Sequence, residues 1–327
     1  MNSNFFFLLI GIIFFNLFAI FNFTKIAKIY NIYDYPNIRK LQNSPISLAG
    51  GLLIFLNLII ITFFEKFNFI NSKVVFDNSI ILSASIFFII GFFDDKYDLN
   101  PLFKILFSFF ILVIFLEFNS NYLIDTIRLS FMDQIYKIDN KIYSLLFTSL
   151  CFLLYQNALN MYDGINLQSG LYFFSSIAIL SFISHNFYIL IFCIPIFFFL
   201  YLNFKNYCYI GSSGIFFISF LIGCLFIDQY NSNLNKIYAD YIFIFMLLPG
   251  IDMFRLFILR IKKGKNPFNA DKQHIHHILL KKTSYYKTIA LVFFTYLLPI
   301  IFLFLTSNSI ISVILFFTFY FFLLRKS

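Results

Sequence analysis

Long apolar runs, each close to the length that crosses a bilayer, recur along the whole chain of 327 residues. A membrane-spanning helix needs about 20 predominantly apolar residues. Eleven such runs are found, at about 4–23, 46–64, 78–93, 101–118, 142–159, 169–184, 186–202, 212–229, 238–258, 288–306 and 308–324. Only 12% of the residues are charged, against about 25% in soluble domains. The sequence therefore predicts an all-α integral membrane protein with about eleven transmembrane helices, forming one polytopic domain over residues 1–327, rather than a barrel.

The distribution of basic residues predicts the orientation of these helices. With the N-terminus outside, six of the 24 Lys and Arg residues lie outside and the other 18 lie in cytoplasmic segments or helix ends. The outer six are Lys66, Lys73, Arg128, Lys137, Lys141 and Lys236. Because cytoplasmic loops carry an excess of Lys and Arg, we expect an outside N-terminus and a cytoplasmic C-terminus. The same rule accounts for the net charge of +9 without a nucleic-acid partner. Segment 119–141, which has some apolar/polar alternation, lies outside in this scheme and is suited to a short hairpin.

Two adjacent carboxylates, Asp94 and Asp95, directly follow the third apolar run in the segment FFDDKYDLNPLFK. Like charges at the mouth of an apolar segment are costly, and they usually mark a site that holds a cation or moves a proton. Hard carboxylate oxygens suit Mg²⁺. Lys104, early in the next run, is placed to neutralise a phosphate. The alternative for the acidic pair is a solvated loop that caps the next helix.

The segment QNALNMYDGINLQSGL begins at the end of the fifth run. Asn157, Asn160 and Asp163 recur every third residue, so they share roughly one helical face. Polar side chains on one face of a membrane helix end are costly unless they bind something. Gly164 then breaks the helix and presents Asn166 in a turn, where an amide offers the donor and acceptor that a nucleobase edge requires. The alternative is an ordinary polar loop.

Two later segments suit phosphate groups. YIGSSG, residues 209–214, places glycines around hydroxyls, and Tyr209 is suited to stack on a ring. The longest cytoplasmic loop contains HIHH among basic residues, with His274, His276 and His277. Basic side chains of this kind clamp phosphoryl groups. A zinc site is the alternative for the histidines, although their spacing is not that of an HExxH helix and no cysteine accompanies them.

In this order, the motifs resemble those of the polyprenyl-phosphate N-acetylhexosamine-1-phosphate transferases over about residues 36–285. Members of that family are membrane enzymes that use Mg²⁺ to move a sugar 1-phosphate from a UDP-sugar to undecaprenyl or dolichyl phosphate, and they release UMP. The resemblance implies a UDP-HexNAc donor, an undecaprenyl phosphate acceptor, Mg²⁺ as cofactor and a multi-pass location in the bacterial inner membrane. The product would start a cell-envelope glycan such as O-antigen, common antigen or a teichoic-acid-like polymer. A homodimer is left open.

The resemblance also implies roles for individual residues, with the active site on the cytoplasmic face. Asp94 and Asp95 match the family's DDxxD pair, near the place where the lipid phosphate is activated, and Lys104 matches a lysine that meets phosphate. The NxxNxxD face is matched by Asn157, Asn160 and Asp163. In that match Asp163 is catalytic and lies close to the metal. Asn160 also lies close to the metal, and Asn157 binds substrate.

The remaining matches concern the donor. Asn166 matches the residue that reads uracil, and Tyr209 matches the aromatic residue that stacks on it. The HxHH motif, which holds the diphosphate in the family, is matched by His274, His276 and His277.

Two positions depart from the family pattern. In DGINLQ, Asn166 stands where bacterial relatives usually have a second Asp, and Leu167 replaces the following glycine. The family's GDxGS motif appears as GSSGI, so Ser212 stands where a metal-ligating Asp is expected. A neutral serine is a far weaker ligand for Mg²⁺. A catalytically weakened paralogue is therefore one alternative function. An anion transporter is another, and it would carry charges in mid-helix and repeated broken helices.

Overall fold

The computed structural model describes residues 3–36, 42–66, 76–232, 237–267 and 271–325, so Lys73 and Lys236 of the predicted outer set lie outside it. Helices dominate these ranges. They are α1 (Ser3–Phe21), α2 (Phe23–Tyr30), α3 (Gly50–Lys66), α4 (Asn78–Tyr97), α5 (Pro101–Phe118), α6 (Lys141–Tyr162), α7 (Gln168–Ile183), α8 (Cys193–Phe204), α9 (Gly211–Ser232), α10 (Ala239–Lys262), α11 (Ile275–Leu280), α12 (Tyr285–Thr306) and α13 (Ser309–Arg325). Each of the eleven predicted runs overlaps one of these helices.

The lengths and hydropathies of the helices confirm an all-α membrane protein. Among the described residues, seven helical segments are long and apolar enough to cross a membrane, namely α4, α5, α6, the segment Phe187–Phe204 that contains α8, α9, α10 and α12. The pair α1 and α2 passes the same criterion together, with a 76° bend between them. Three shorter apolar helices, α3, α7 and α13, complete the set. Eleven spans and their orientation stay predictions.

Two short antiparallel strand pairs accompany the helices. Strand β1 (Tyr33–Asp34) pairs with β2 (Ile46–Ser47), and β3 (Thr126–Arg128) pairs with β4 (Ile135–Lys137). The second pair confirms the hairpin predicted within segment 119–141.

The chain divides into two compact units. The first comprises Met1–Lys104 and Phe173–Leu225, and the second comprises Ile105–Tyr172 and Phe226–Ser327. Each unit has its own apolar core.

In the first unit, helices approach the start of α9 so closely that glycine is needed. A Cβ on Gly51 of α3 would lie 2.5 Å from the backbone nitrogen of Gly214, and one on Gly91 of α4 would lie 2.3 Å from Cα of Ser213. Such distances exclude any side chain without a shift of backbone, because backbone atoms cannot rotate away. The sequence pair Gly50-Gly51 and the glycines of YIGSSG therefore have packing roles.

In the second unit, α6 packs on α10 and α12 packs on α13. The two ends of α10 hold different segments. At its start, Asp240 accepts a hydrogen bond from the backbone nitrogen of Ser130 at the hairpin, at 2.8 Å. At its end, Arg260 donates to Asp271 in the following loop, at 2.9 Å. Helix α10 thereby fixes the hairpin at one end and the loop that leads to HIHH at the other.

Candidate active site

The acidic pair lies in the last turn of α4, and not in a loop after it. The helix continues to Tyr97, four residues beyond the predicted end of the apolar run, and Asp98 ends it in the left-handed conformation with φ of 50°. The side chain of Asp94 is only 6% exposed. The solvated-loop alternative is therefore wrong, because the carboxylate is enclosed by partners that satisfy it.

Asp94 is paired with Lys104. Nζ of Lys104, in the first turn of α5, lies 2.9 Å from Oδ1 and 3.1 Å from Oδ2 of Asp94. The backbone nitrogen of Leu99 also donates to Oδ1, at 3.1 Å. A lysine ammonium has three donors, so two directed at one carboxylate leave a third for an incoming anion. The predicted phosphate-neutralising lysine is thus held in place by the first aspartate of the pair.

Asp95 has a different set of partners. Its Oδ1 accepts from the backbone nitrogen of Ser212 at 2.7 Å, and its Oδ2 accepts from that of Ser213 at 3.0 Å. These two N–H groups lie at the start of α9, where they have no acceptor within the helix and where a negative charge is favoured. Gly211 permits the contact, because its φ is +71° and an added Cβ would lie 2.5 Å from Oδ2 of Asp95. The YIGSSG segment, which was predicted to suit a phosphate, therefore uses two of its backbone N–H groups to hold Asp95.

Tyr209 precedes this helix start and is held on both sides of its peptide. Its backbone nitrogen donates to the carbonyl of Ser47 at 2.9 Å, and its carbonyl accepts from the nitrogen of Gly50 at 3.0 Å. The phenol hydroxyl donates to the side chain of Gln42. Its stacking on uracil stays a prediction.

In the second unit, α6 runs to Tyr162, three residues past the predicted end. Asn157 and Asn160 therefore lie inside the helix, and Asp163 caps its C-terminus. The amide of Asn157 donates to the carbonyl of Leu153 in its own helix, at 2.7 Å. The hydroxyl of Ser169 donates to Oδ1 of Asp163. Desolvation raises the pKa of Asp163 to about 6, although the hydrogen bond from Ser169 acts in the opposite direction.

The turn after Asp163 packs against HIHH. A Cβ on Gly164 would lie 2.0 Å from Nε2 of His276, so only glycine leaves room for that ring. Nε2 of Gln168 lies 3.4 Å from Nδ1 of His276, a contact between residues 108 apart in the chain. Tyr285 donates to the carbonyl of Asn166 at 3.3 Å. The second unit thus brings the end of the NxxNxxD face and the histidine motif together.

The three histidine rings lie close together at the start of α11, and the first two of them stack. The rings of His274 and His276 are parallel within 5°, with centroids 5.4 Å apart, and the centroids of His276 and His277 are 4.3 Å apart. Burial, with the neighbouring histidines, holds the pKa of His276 well below its usual range and lowers that of His277 to about 4. Among the described residues, Nε2 of His276 is buried without a hydrogen-bond partner, on the side of the ring that faces Gly164.

A buried network beneath the histidines was not predicted from the sequence. Asp252 of α10 contacts His274, Arg255 and Tyr320. The sequence did contain a signal for the contact between Asp252 and Arg255. These two residues are three positions apart on a helix, where opposite charges pair. Nothing in the sequence pointed to Tyr320, which lies 68 residues further on.

Mg²⁺ fits the donor set at the end of α6. The carboxylate of Asp163 and the amide oxygen of Asn160, one turn earlier, are the hard ligands this ion prefers. Among the described residues there is no group of three or more His, Cys, Asp or Glu side chains suited to a metal. Mg²⁺ usually binds to one or two carboxylates together with substrate phosphates, so a two-residue set is in keeping with its chemistry. Zinc, the alternative for the histidines, finds no such cluster in this part of the chain.

Comparisons with known proteins find a family model and relatives that are similar to this chain. The sequence pattern of glycosyl transferase family 4 matches residues 78–229. The undecaprenyl-phosphate alpha-N-acetylglucosaminyl 1-phosphate transferase of Thermotoga maritima is 28% identical over 276 residues, which is 81% of this chain and 79% of that protein. The proteins of the same name from Escherichia coli K12 and Yersinia pestis are 23% and 24% identical, over 84% of this chain and 76% of each relative. These matches support the polyprenyl-phosphate N-acetylhexosamine-1-phosphate transferases as the family of this chain.

Proposed function

We propose that the protein transfers a HexNAc 1-phosphate from a UDP-sugar to undecaprenyl phosphate, with release of UMP, at the inner membrane of a bacterium. The names of the relatives support N-acetylglucosamine as the sugar and undecaprenyl phosphate as the acceptor. The observation that carries the proposal is the packing of the Asp163–Gly164 turn against His276, which joins a metal-type carboxylate to a phosphate-type histidine cluster. The reaction would be the first membrane step of a cell-envelope glycan.

The proposed reaction is a direct phosphoryl transfer. An oxygen of the lipid phosphate attacks the β-phosphorus of the UDP-sugar and forms a new P–O bond. The bond between the β-phosphorus and the bridging oxygen breaks, and that oxygen leaves with UMP. Such reactions are accelerated mainly by positioning and by electrostatic stabilisation, with little covalent chemistry for the protein to perform.

The second unit supplies groups for the donor. His274, His276 and His277 are assigned to the diphosphate, and the unpartnered Nε2 of His276 supports this role because a phosphate oxygen would satisfy it. Asn166 is assigned to the uracil edge. Asp163 and Asn160 would hold Mg²⁺, which when bound offsets the negative charge that develops on the UMP leaving group.

The end of α4 and the start of α5 supply groups for the acceptor, and the two aspartates there have separate tasks. Lys104, held against Asp94 at 2.9 Å, keeps one N–H for the lipid phosphate, and Asp94 remains an acceptor beside it. Asp95 uses both oxygens on the start of α9 and is therefore a positioning residue. Tyr209, ahead of that helix start, is assigned to stacking on uracil.

The function is tested with purified protein in detergent, labelled UDP-GlcNAc, undecaprenyl phosphate and Mg²⁺, scored for UMP release. We expect UMP in the presence of both substrates and none without the lipid phosphate. Lys104→Gln removes a positive charge next to a phosphate, and Asp163→Asn removes the carboxylate assigned to Mg²⁺, so each should reduce the rate at least about tenfold. A wild-type protein that releases no UMP from any of several UDP-HexNAc donors would overturn the proposal of native activity.

A catalytically weakened member that binds the lipid carrier is the second candidate, and Ser212 is the observation that favours it. Ser212 contacts Asp95 through its backbone nitrogen, so Ser212→Asp keeps that hydrogen bond and adds the carboxylate that the family pattern expects. A variant that turns over while the wild type does not would establish the weakened member. Equal rates would show that Ser212 does not limit the reaction.

A further inference from the structure

Asp252 lies in α10 beneath the histidine motif, and both of its oxygens are fully engaged. Oδ2 lies 2.8 Å from Nδ1 of His274 and 3.4 Å from the backbone nitrogen of Ile275. Oδ1 accepts from the hydroxyl of Tyr320 and from Nη2 of Arg255, each at 2.7 Å. The Asp252 side chain is only 4% exposed. Four donors thus converge on one buried carboxylate.

Arg255 closes the network. Its Nε donates to the hydroxyl of Tyr320 at 2.8 Å, and its Nη2 also donates to the carbonyl of Gln273 at 2.7 Å. A buried carboxylate is stable only when it is paired and hydrogen-bonded, and removing one partner of such a group is costly. Helix α13, through Tyr320, is thereby tied to α10 and to the residue that precedes HIHH.

The contact with Asp252 determines which nitrogen of His274 is available. An ionised carboxylate only accepts, so Nδ1 of His274 must carry a proton in this hydrogen bond. Among the described residues no hydrogen bond reaches Nε2 of His274. The neighbouring ring of His276 lies parallel to it at 5.4 Å and limits its tilt. Nε2 of His274 is therefore the nitrogen that points away from the network, in a fixed orientation.

We propose that Asp252, held by Tyr320 and Arg255, is the positioning residue that sets the tautomer and the orientation of His274 for contact with the donor diphosphate. The inference rests on the proposed function for the identity of the ligand. The orientation of His274 itself does not depend on that identity, so it can be tested in the protein without substrate. A carboxylate that fixes a histidine by its other ring nitrogen is a general device for presenting an imidazole to a ligand.

The first test is nitrogen NMR of the purified protein in detergent with ¹⁵N-labelled histidine. The chain contains four histidines, so the ring signals can be assigned with single His→Gln variants. In the wild type we expect His274 to be protonated on Nδ1. Asp252→Asn should change the ring signals of His274, because an amide can donate to Nδ1 and thereby favour the proton on Nε2. Unchanged signals would overturn the proposal.

The matched control is Asp240→Asn. Asp240 is a second buried aspartate of α10, it is also hydrogen-bonded to a neighbouring segment, and it lies in the first turn of the helix, whereas Asp252 lies near the middle. Both substitutions remove one buried carboxylate from the same helix. We expect the ring signals of His274 to shift only in Asp252→Asn. An equal shift in both variants would indicate general loosening of the unit and would contradict a specific role.

The second test is a kinetic double-mutant cycle. Asp252→Asn should lower kcat/KM for the UDP-sugar by about 10–100-fold, the usual effect of losing the partner that orients a functional histidine. Added to His274→Gln it should lower kcat/KM by less than about threefold, because the ring it orients is then absent. Full additivity would overturn the positioning role. Tyr320→Phe, which removes one hydroxyl without changing packing, should give the same pattern with a smaller loss.

The two proposals fail in different ways. A wild-type protein without UMP release, but with a His274 signal that responds to Asp252→Asn, would overturn the proposed function and leave the positioning of His274 intact. If the wild type releases UMP normally, and Asp252→Asn changes neither the His274 signal nor kcat/KM, the positioning role would be overturned and the proposed function would stand.

Discussion

Asp94 and Asp95 are neighbours in the chain, yet they contact different helices. Successive residues of an α-helix point about 100° apart, so one carboxylate reaches Lys104 at the start of α5 and the other reaches the start of α9. The two aspartates therefore have separate tasks. Asp94 holds the ammonium of Lys104, beside which a phosphate can bind, and Asp95 fixes the start of α9. A shared metal site for both carboxylates is not what their contacts indicate.

A substitution at Gly164 tests the position of the His276 ring. In Gly164→Ala the new Cβ would lie 2.0 Å from Nε2 of His276, so the ring must move. We expect UMP release to fall at least about tenfold, because the displaced nitrogen is the one assigned to the diphosphate. The measurement is the rate of UMP release, with the ¹⁵N signal of His276 as a direct reading of the displacement.

Gly250→Ala is the control for that substitution. Gly250 lies in α10, and an added Cβ there meets nothing within 4 Å. Alanine favours a helix by roughly 1 kcal/mol over glycine, so this variant should be unchanged or slightly more stable, with normal activity. A Gly164→Ala protein that matches it in rate would show that the ring of His276 has no part in the reaction.

A site residue can be predicted from the sequence when it belongs to a local pattern. His276 and Asp163 could be proposed as candidate site residues because each sits in a short motif whose spacing has a chemical reason. Asp252 and Tyr320 were missed because the network that joins them exists only after α10 and α13 pack together. A tyrosine in an apolar run carries no sign of its partner, so no spacing rule would have identified it.

At the scale of elements, hydropathy located the helices but not their polar ends. Helix α4 continues through Asp94 and Asp95 to Tyr97, and α6 continues through Asn160 to Tyr162. A hydropathy window ends where charge begins, whereas a helix ends where its backbone hydrogen bonds stop. Here polar side chains of the last turns contact other segments, and the helices continue through the candidate site residues.

The short helix α11 makes the second unit sensitive to acid. Burial lowers the pKa of His277 to about 4, and it also holds the pKa of His276 well below the ordinary value near 6.5. The folded protein thus binds fewer protons than the unfolded chain below pH 6.5. The stability contributed by the neutral rings is complete above pH 6.5 and is lost as the pH falls towards 4. The raised pKa of Asp163 acts in the opposite direction.

We therefore expect the melting temperature in detergent to fall between pH 7 and pH 5, and to fall less in His277→Gln. The difference should correspond to on the order of 1 kcal/mol at most, because His277 is partly exposed and its charge is partly screened by solvent. His185→Asn is the matched control, since it removes a histidine at a left-handed position that Asn tolerates. The same pH response in wild type and His277→Gln would contradict the account.

At the scale of the whole molecule, the length of α10 separates two features of the second unit. Its 24 residues extend about 36 Å at 1.5 Å per residue, which exceeds the roughly 30 Å of a bilayer core. Asp240 at its start holds the β3–β4 hairpin, and Arg260 at its end holds the loop that leads to HIHH. If α10 spans the membrane, these two segments must face opposite sides. The basic residues of the sequence predict which of these segments faces the cytoplasm. Only the packing of the folded chain shows that the hairpin and the loop that leads to HIHH contact the same helix.

Cysteine labelling tests both the span and its direction. Lys137 in the hairpin and Lys265 beyond α10 are exposed, and three of the four native cysteines are buried, with Cys151 partly so, so the background measured on the wild type should be low. With a membrane-impermeant maleimide we expect Lys137→Cys to react in spheroplasts and Lys265→Cys to react only in inverted vesicles, because the basic segment is predicted to face the cytoplasm. Reaction of both from one side would mean that α10 does not cross the membrane. The reverse pattern would retain the span and place HIHH outside, where UDP-sugars made in the cytoplasm cannot reach it.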